Sequence, residues 1–297
     1  MNILWILAHP DDESFGGAGT LAWAHDAGLT TGLVCATRGE VGEINDPSRG
    51  TPEILGAVRE RELRRAMDAV QLTTLRLLPY RDSGMAGTPE NDDPRSLFQA
   101  PFEEALAHVV FQIRDLKPET VITFGPDGGY GHPDHVRISE LATEAVERAA
   151  RDETPGLGEP WQVMSLYHTA IPREVMAQFR ERAGGLFEAM SEEEFANLGT
   201  PSAEITHWAD TIDHLDVARK AIVEHRTQIK DVNDFLADTP AVRSRLRYQQ
   251  YKRIPLPWDP TMGHRDALDR LVEEHPNTDR LTMTLPDPDD LPVEADV

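Results

Sequence analysis

The chain opens on Ile3-Leu4-Trp5-Ile6-Leu7-Ala8, an uninterrupted apolar run, and passes straight into His9-Pro10-Asp11-Asp12-Glu13. A run that short, apolar on both faces, predicts a fully buried strand of a parallel sheet. The polar residues after it then stand at the strand's carboxyl end, where open α/β sheets place their ligands. Four more runs repeat the pattern, and strands are predicted at residues 2–8, 29–36, 74–79, 120–124 and 162–168. Amphipathic segments alternate with them, giving helices at 17–26, 54–70, 101–116 and 133–150, the last with Pro133 at a position suited to a first helical turn. The fold class is therefore α/β: a Rossmann-like, mostly parallel sheet flanked by helices, with a C-terminal helical extension.

The expected organisation is a Rossmann-like metal-binding catalytic core over residues 1–170, a helical extension of the same domain over 171–260, and a polar, acidic, partly disordered tail over 261–297. The segment 286–297 carries five acids and no base. Two long connections rich in Gly, Pro, Asp and Asn, residues 38–53 and 80–100, leave the carboxyl ends of predicted strands, so substrate contacts are expected there.

With 297 residues and 39% apolar content the chain can bury a proper core. Twenty-nine basic side chains against 52 acidic ones give a formal net charge of -23, which disfavours nucleic acid and anionic membrane surfaces as partners. The single cysteine, Cys35, makes no internal disulfide, and no stretch reaches the ~20 apolar residues of a membrane helix, so a cytoplasmic protein is expected. A homo-oligomer is compatible with the sequence.

A second polar cluster, Tyr130-Gly131-His132-Pro133-Asp134-His135, follows the fourth predicted strand. Divalent ions such as Zn²⁺ take imidazole nitrogen and carboxylate oxygen, and a catalytic site holds the ion with three protein groups and leaves a position open. His9, Asp12 and His135 can supply such a set, although one of His132 and His135 suffices to complete it. Asp11, beside the ion but not bound to it, is the natural base for a water whose pKa the ion lowers. The remaining histidine is free to stabilise an oxyanion or protonate a leaving amine. Asp134 is a candidate for orienting that ring, and Tyr130 for donating to the same oxyanion. The same His₂-carboxylate set accepts Fe²⁺ or Co²⁺.

These two motifs resemble those of the PIG-L/LmbE-like family of zinc-dependent N-deacetylases. Thr37-Arg38-Gly39-Glu40 with Gly42, Arg59 with Glu62-Leu63, and Tyr80-Arg81-Asp82-Ser83-Gly84-Met85 extend the resemblance toward the subgroup that deacetylates N-acetylglucosaminyl-inositol in mycothiol biosynthesis. The resemblance implies zinc on His9, Asp12 and His135, Asp11 as base, His132 oriented by Asp134 at the tetrahedral intermediate, and Tyr130 polarising the amide carbonyl. It further implies substrate contacts at Arg59 and Asp82. His225 and Gln228 resemble a recurring late motif and receive no role. The implied substrate is a small N-acetylated amino sugar of thiol-cofactor precursor type. The alternatives are an amidase acting on sugar-thiol conjugates and a metal-dependent sugar-binding protein without turnover.

Blander readings compete at several positions. Gly17-Ala18-Gly19 imitates a dinucleotide fingerprint, but the acids between strand and glycines would repel a pyrophosphate, so close helix packing explains the glycines better. Cys35, between Val34 and Ala36 in a strand-like run, reads as a buried inert thiol.

Overall fold

The computed structural model describes residues 1–151, 156–176, 190–237, 239–258 and 265–273. Five strands lie where the apolar runs predict them: β1 (Ile3–Leu7), β2 (Thr31–Cys35), β3 (Thr74–Leu77), β4 (Thr120–Thr123) and β5 (Ser165–Thr169). They pair in parallel in the order β3-β2-β1-β4-β5. Every residue of β1, β2 and β4 is buried, which is why these strands carry no alternation. Helices α1 (Asp12–Asp26), α2 (Leu55–Ala69), α3 (Phe102–Leu116) and α4 (Pro133–Ala149) connect them, with Pro133 in the first turn of α4.

The strand order reverses between β1 and β4, so the chain leaves these two neighbours in opposite lateral directions and opens a crevice above their carboxyl ends. Trp5 pairs with Ile122, which brings the end of β1 level with the end of β4. The residues following each strand, His9 to Glu13 and Gly125 to His135, thereby meet across one crevice although about 125 residues separate them in sequence.

Three features depart from the sequence expectation. Helix α1 begins at Asp12, not Gly17: its glycines do not break it but let neighbours approach, since a Cβ on Gly19 would stand 2.4 Å from Thr211 Oγ1. The region after 171 is not helical alone. Beside helices such as Leu215–Ile222 it supplies β6 (His207–Asp210) and β7 (Tyr248–Ile254), the latter antiparallel to β5, making a seven-stranded sheet. Gln249 and Tyr251 of β7 are tied to Thr20 of α1 by bonds of 2.6 to 2.9 Å, which fastens this region to the core. Finally, the segment expected to be a polar tail contains a helix, Ala267–Glu273, whose Ala267, Leu268, Leu271 and Val272 are buried. Residues 274–297 lie outside the described residues. Among the described residues, no helix is long and apolar enough to cross a membrane.

Candidate metal centre

His9 leaves β1 and its backbone N–H donates to Asp12 Oδ2 at 2.7 Å, which folds the motif into a tight turn ahead of α1. Asp11 caps that helix with φ 111°, a conformation rarely adopted by a residue with a side chain, at a strain of roughly 1–3 kcal/mol. On the facing turn, Gly128, Gly129 and Gly131 all have positive φ, and the Gly128 carbonyl is thereby placed against the His135 ring.

Hydrogen bonds fix which nitrogen of each imidazole carries the hydrogen. His9 Nε2 donates to Asp134 Oδ2 at 3.1 Å, leaving its Nδ1 a lone pair. His135 Nδ1 donates to the Gly128 carbonyl at 3.0 Å, leaving its Nε2 a lone pair. Those two lone-pair nitrogens face each other 3.0 Å apart. Asp12 Oδ1 lies 3.3 Å from His135 Nε2 and Asp12 Oδ2 lies 3.9 Å from His9 Nδ1. Two buried lone pairs and a carboxylate converging on one point repel one another unless a positive charge stands among them, so the donor set fits a divalent cation.

His132 also lies within reach of His9 and His135. Its Nδ1 accepts the Asp134 backbone N–H at 3.1 Å, which puts its own hydrogen on Nε2 and makes that atom a donor, not a ligand. Of the two histidines in the second motif, His135 is therefore the ligand candidate. His9, Asp82 and Asp134 form another close group, but His9 enters it through its protonated nitrogen, so this group is a hydrogen-bond cluster.

The structure revises the expected partner of Asp134. Its carboxylate does not hold His132; it accepts from His9 Nε2, from the Ser83 N–H at 2.8 Å and from the Ser83 hydroxyl. The expected sugar contacts are also engaged within the protein. Arg59, 4% exposed, donates to the Gly39 carbonyl at 2.9 Å and the Pro10 carbonyl at 2.5 Å, and stands 3.3 Å from Asp11 Oδ2. Asp82, 3% exposed, accepts from Gly84 N–H and Val41 N–H and faces His9 and His132 at 3.5 and 3.9 Å. The two long connections reach the crevice with Gly39, Glu40, Asp82 and Ser83.

Electrostatics follow from that packing. Burial pushes the Asp11 carboxyl up to about 6, against the Arg59 guanidinium that favours its ionised form. Burial also opposes charge on His9, yet the surrounding Asp82, Asp134 and Asp12 carboxylates outweigh it and hold the imidazole well above its ordinary value. A site that draws a proton this strongly is one that draws cations. Burial and the neighbouring His9 push His135 well down. The Tyr130 ring packs edge-on to His135 at 4.9 Å, and burial with the nearby acids pushes its phenol up, so the hydroxyl stays protonated and able to donate.

Sequence reasoning missed three supports of this site: Glu13, Ser83 and the Gly128 carbonyl. Glu13 lay in plain view within the acid run, but nothing in the sequence distinguishes its role from that of its neighbours. Cys35 is buried, and burial raises its thiol well above the ordinary range, in keeping with an inert residue.

Residues 4–146 match the family model described as PIG-L: GlcNAc-PI de-N-acetylase. The chain is 34% identical over 270 residues to a 1D-myo-inositol 2-acetamido-2-deoxy-alpha-D-glucopyranoside deacetylase of Geodermatophilus obscurus, spanning 85% of this chain and 91% of that protein. Among solved structures it resembles the N,N'-diacetylchitobiose deacetylase of Pyrococcus horikoshii, with TM-score 0.60 and 20% identity over 86% of this chain and 84% of that one. It also resembles the 4-carboxy-2-hydroxymuconate hydratase of Pseudomonas putida, with TM-score 0.56 and 17% identity over 86% and 97% of the two chains. These structural likenesses establish the fold; a deacetylase and a hydratase share it, so the chemistry must be argued from the site.

Proposed function

This chain belongs to the PIG-L, GlcNAc-PI de-N-acetylase family, and on that premise we propose that it hydrolyses the N-acetyl amide of a small N-acetylglucosamine-containing substrate, of the glucosaminyl-inositol type. His9, Asp12 and His135 would hold a divalent cation, with Zn²⁺ the ion proposed. When bound, the cation supplies Lewis acidity toward water and the amide carbonyl. The observation that carries the reading is the convergence of two tautomer-fixed imidazole lone pairs and the Asp12 carboxylate beside Asp11.

Asp11 binds the attacking water and takes its proton. Its side chain is 18% exposed, open enough to meet water, and the Arg59 guanidinium holds its Oδ2 in place. His132, its hydrogen on Nε2, and the Tyr130 hydroxyl present two donors for the oxygen that gains charge as the carbonyl is attacked. The proton held by Asp11 then serves the departing amine, so one carboxylate acts first as base and then as acid. Arg59 and Asp82 act from within the protein, Arg59 on Asp11 and Asp82 on the two histidines. On this reading residues 1–170 supply every ligand and proton-transfer group, and the extension 171–260 braces them.

The test is release of free amine from N-acetylglucosaminyl-inositol by chelator-stripped protein to which Zn²⁺ is restored, alongside a thiol conjugate of the same sugar whose amine is acylated by an S-substituted thiol amino acid. Amine release from the N-acetyl sugar that depends on Zn²⁺ and falls about 10²- to 10⁴-fold in Asp11→Ala supports the proposal. Cleavage of the conjugate alone would assign the amidase alternative, and no turnover of either would leave a binding protein.

A further inference from the structure

His225 and Glu13 form an ion pair with no solvent exposure on either side chain, and neither does any of the ligand, base or donor work assigned above. Their geometry leads back to Asp11. The peptide group joining Pro10 to Asp11 is gripped at both ends: its carbonyl accepts from Arg59 Nη2 at 2.5 Å, and its N–H donates to Glu13 Oε2 at 3.0 Å. The φ angle of Asp11 is the rotation of that peptide plane about the bond to the residue's Cα, so fixing the plane fixes where the carboxylate points. At φ 111° the plane is held where a side-chain-bearing residue does not rest unaided. Relaxation toward a negative φ would break both grips.

The other oxygen of Glu13 is held too. Glu13 Oε1 accepts from the Ser14 hydroxyl at 2.5 Å and from His225 Nε2 at 2.9 Å. His225 sits in the turn beyond the helix Leu215–Ile222, and Thr227 of that turn donates twice to Glu62, from N at 2.9 Å and from Oγ1 at 2.7 Å. Glu62 lies three residues beyond Arg59 on α2 and so shares its face of the helix. One short turn of the extension thus braces both arms of the grip, Glu13 directly and the Arg59 helix through Glu62.

We infer that His225, acting through Glu13, is a positioning residue for Asp11, and that the turn 225–228 sets the aim of the base. This rests on the reading of Asp11 as the base. The late pair His225 and Gln228 thereby gains a purpose: Gln228 Nε2 donates to the Glu43 carbonyl and the Thr227 hydroxyl, fastening the same turn to the first long connection.

The test measures kcat, KM and zinc per chain for His225→Ala and Glu13→Ala, each in the wild-type and in an Asp11→Ala background, with N-acetylglucosaminyl-inositol as substrate. In the wild-type background kcat falls about 10- to 100-fold while KM and zinc content hold within about twofold. In the Asp11→Ala background neither change lowers the residual rate further, because no base remains to be aimed. His225→Gln, whose side-chain amide nitrogen occupies the place of Nε2, recovers most of kcat, and His225→Asn, whose nitrogen falls short, does not. Should His225→Ala fail to accumulate as folded protein, the Gln and Asn variants decide. Wild-type kcat in His225→Ala, an equal loss in both backgrounds, zinc loss that matches the rate loss, or equal rates for Gln and Asn would each overturn the inference. Full activity in Asp11→Ala would instead remove the reading beneath it, whereas an inactive Asp11→Ala beside a fully active His225→Ala removes the inference alone.

Discussion

Replacing Asp134 with Asn changes one oxygen for an NH₂ group, and its consequence separates two roles that the sequence cannot tell apart. The Asp134 carboxylate is completely buried and receives three donors: His9 Nε2, the Ser83 N–H and the Ser83 hydroxyl. An amide accepts only at its oxygen, so in Asp134→Asn the NH₂ takes the place of Oδ1, where the Ser83 hydroxyl can turn to accept it, and the oxygen keeps the place of Oδ2 before His9 Nε2 and the Ser83 N–H. His9 Nε2–H then meets a neutral oxygen instead of a carboxylate, which loosens the ring and lowers the basicity of Nδ1, the nitrogen that faces His135 Nε2 at 3.0 Å. The change therefore weakens a metal ligand. Losing such an orienting partner typically weakens metal binding by about 10- to 100-fold, equivalent to about 1.4–2.7 kcal/mol. Competition against a chromogenic chelator measures Zn²⁺ affinity directly, and kcat is taken separately at saturating Zn²⁺. The expectation is a raised Kd with kcat largely restored by excess metal. An unchanged Kd accompanied by a large loss of kcat would refute the reasoning and return Asp134 to His132.

Three further predictions test other parts of the argument. Burial, with the Lys252 ammonium second and against the pull of Asp127, holds His168 down to about 4. An unfolded imidazole titrates near ~6.5, so the stability of keeping His168 neutral is complete above that pH. It falls by up to about 1.4 kcal/mol per pH unit as pH drops toward about 4, where the loss levels off. Denaturant titrations of His168→Gln should lack that component, and parallel pH profiles for the two proteins would contradict it. Gly39 has φ +63°, and an added Cβ would stand 2.0 Å from Arg59 Nη1. Gly39→Ala is expected to lose about 1–2 kcal/mol of unfolding free energy from backbone strain alone. It should also lose about tenfold in kcat as the guanidinium moves off Asp11; unchanged kcat would show that Arg59 does not aim the base. Tyr130→Phe removes one oxyanion donor and should lower kcat by about 10²–10³-fold with little change in KM, whereas a rise in KM alone would make Tyr130 a substrate contact.

What the sequence revealed depended on where each element keeps its polar groups. β1, β2 and β4 were legible because helices cover both of their faces and every position is buried, whereas β3, at the sheet edge with Arg76 exposed, was legible from its place in the alternation of strands and helices. The strand Tyr248–Ile254 was not, because Gln249 is buried by hydrogen bonding to Thr20, an arrangement invisible without the fold. The helix Ala267–Glu273 escaped notice because Ala267, Leu268, Leu271 and Val272 recur at helical spacing over only two turns, too short a pattern to stand out in a polar segment. At the site, residue types announced the ligands, but orientation did not follow from proximity in sequence. Asp134 neighbours His132 in the chain and serves it with its backbone N–H, while its side chain reaches His9 across the crevice.

The acid run Asp11-Asp12-Glu13 shows how one helix start assigns three different tasks to adjacent carboxylates. Asp11 at the cap points toward solvent and Arg59, Asp12 folds back onto the His9 N–H and faces His135, and Glu13 turns inward to His225. Crowding these charges with Asp82 and Asp134 is tolerable only if positive charge compensates them. The amino end of α1 contributes part, roughly half an elementary charge. Arg59 and a protonated His225 contribute one each, which leaves the five carboxylates about two to three charges in excess. Without a cation His9 can add one more charge only by taking up a proton, at the cost of the lone pair it would offer as a ligand. A divalent cation on His9, Asp12 and His135 balances most of that excess at the point where the repulsion is concentrated. The same balance explains why Asp11 remains a base: with the cation taking up the charge of Asp12, the Arg59 guanidinium is left to Asp11 alone.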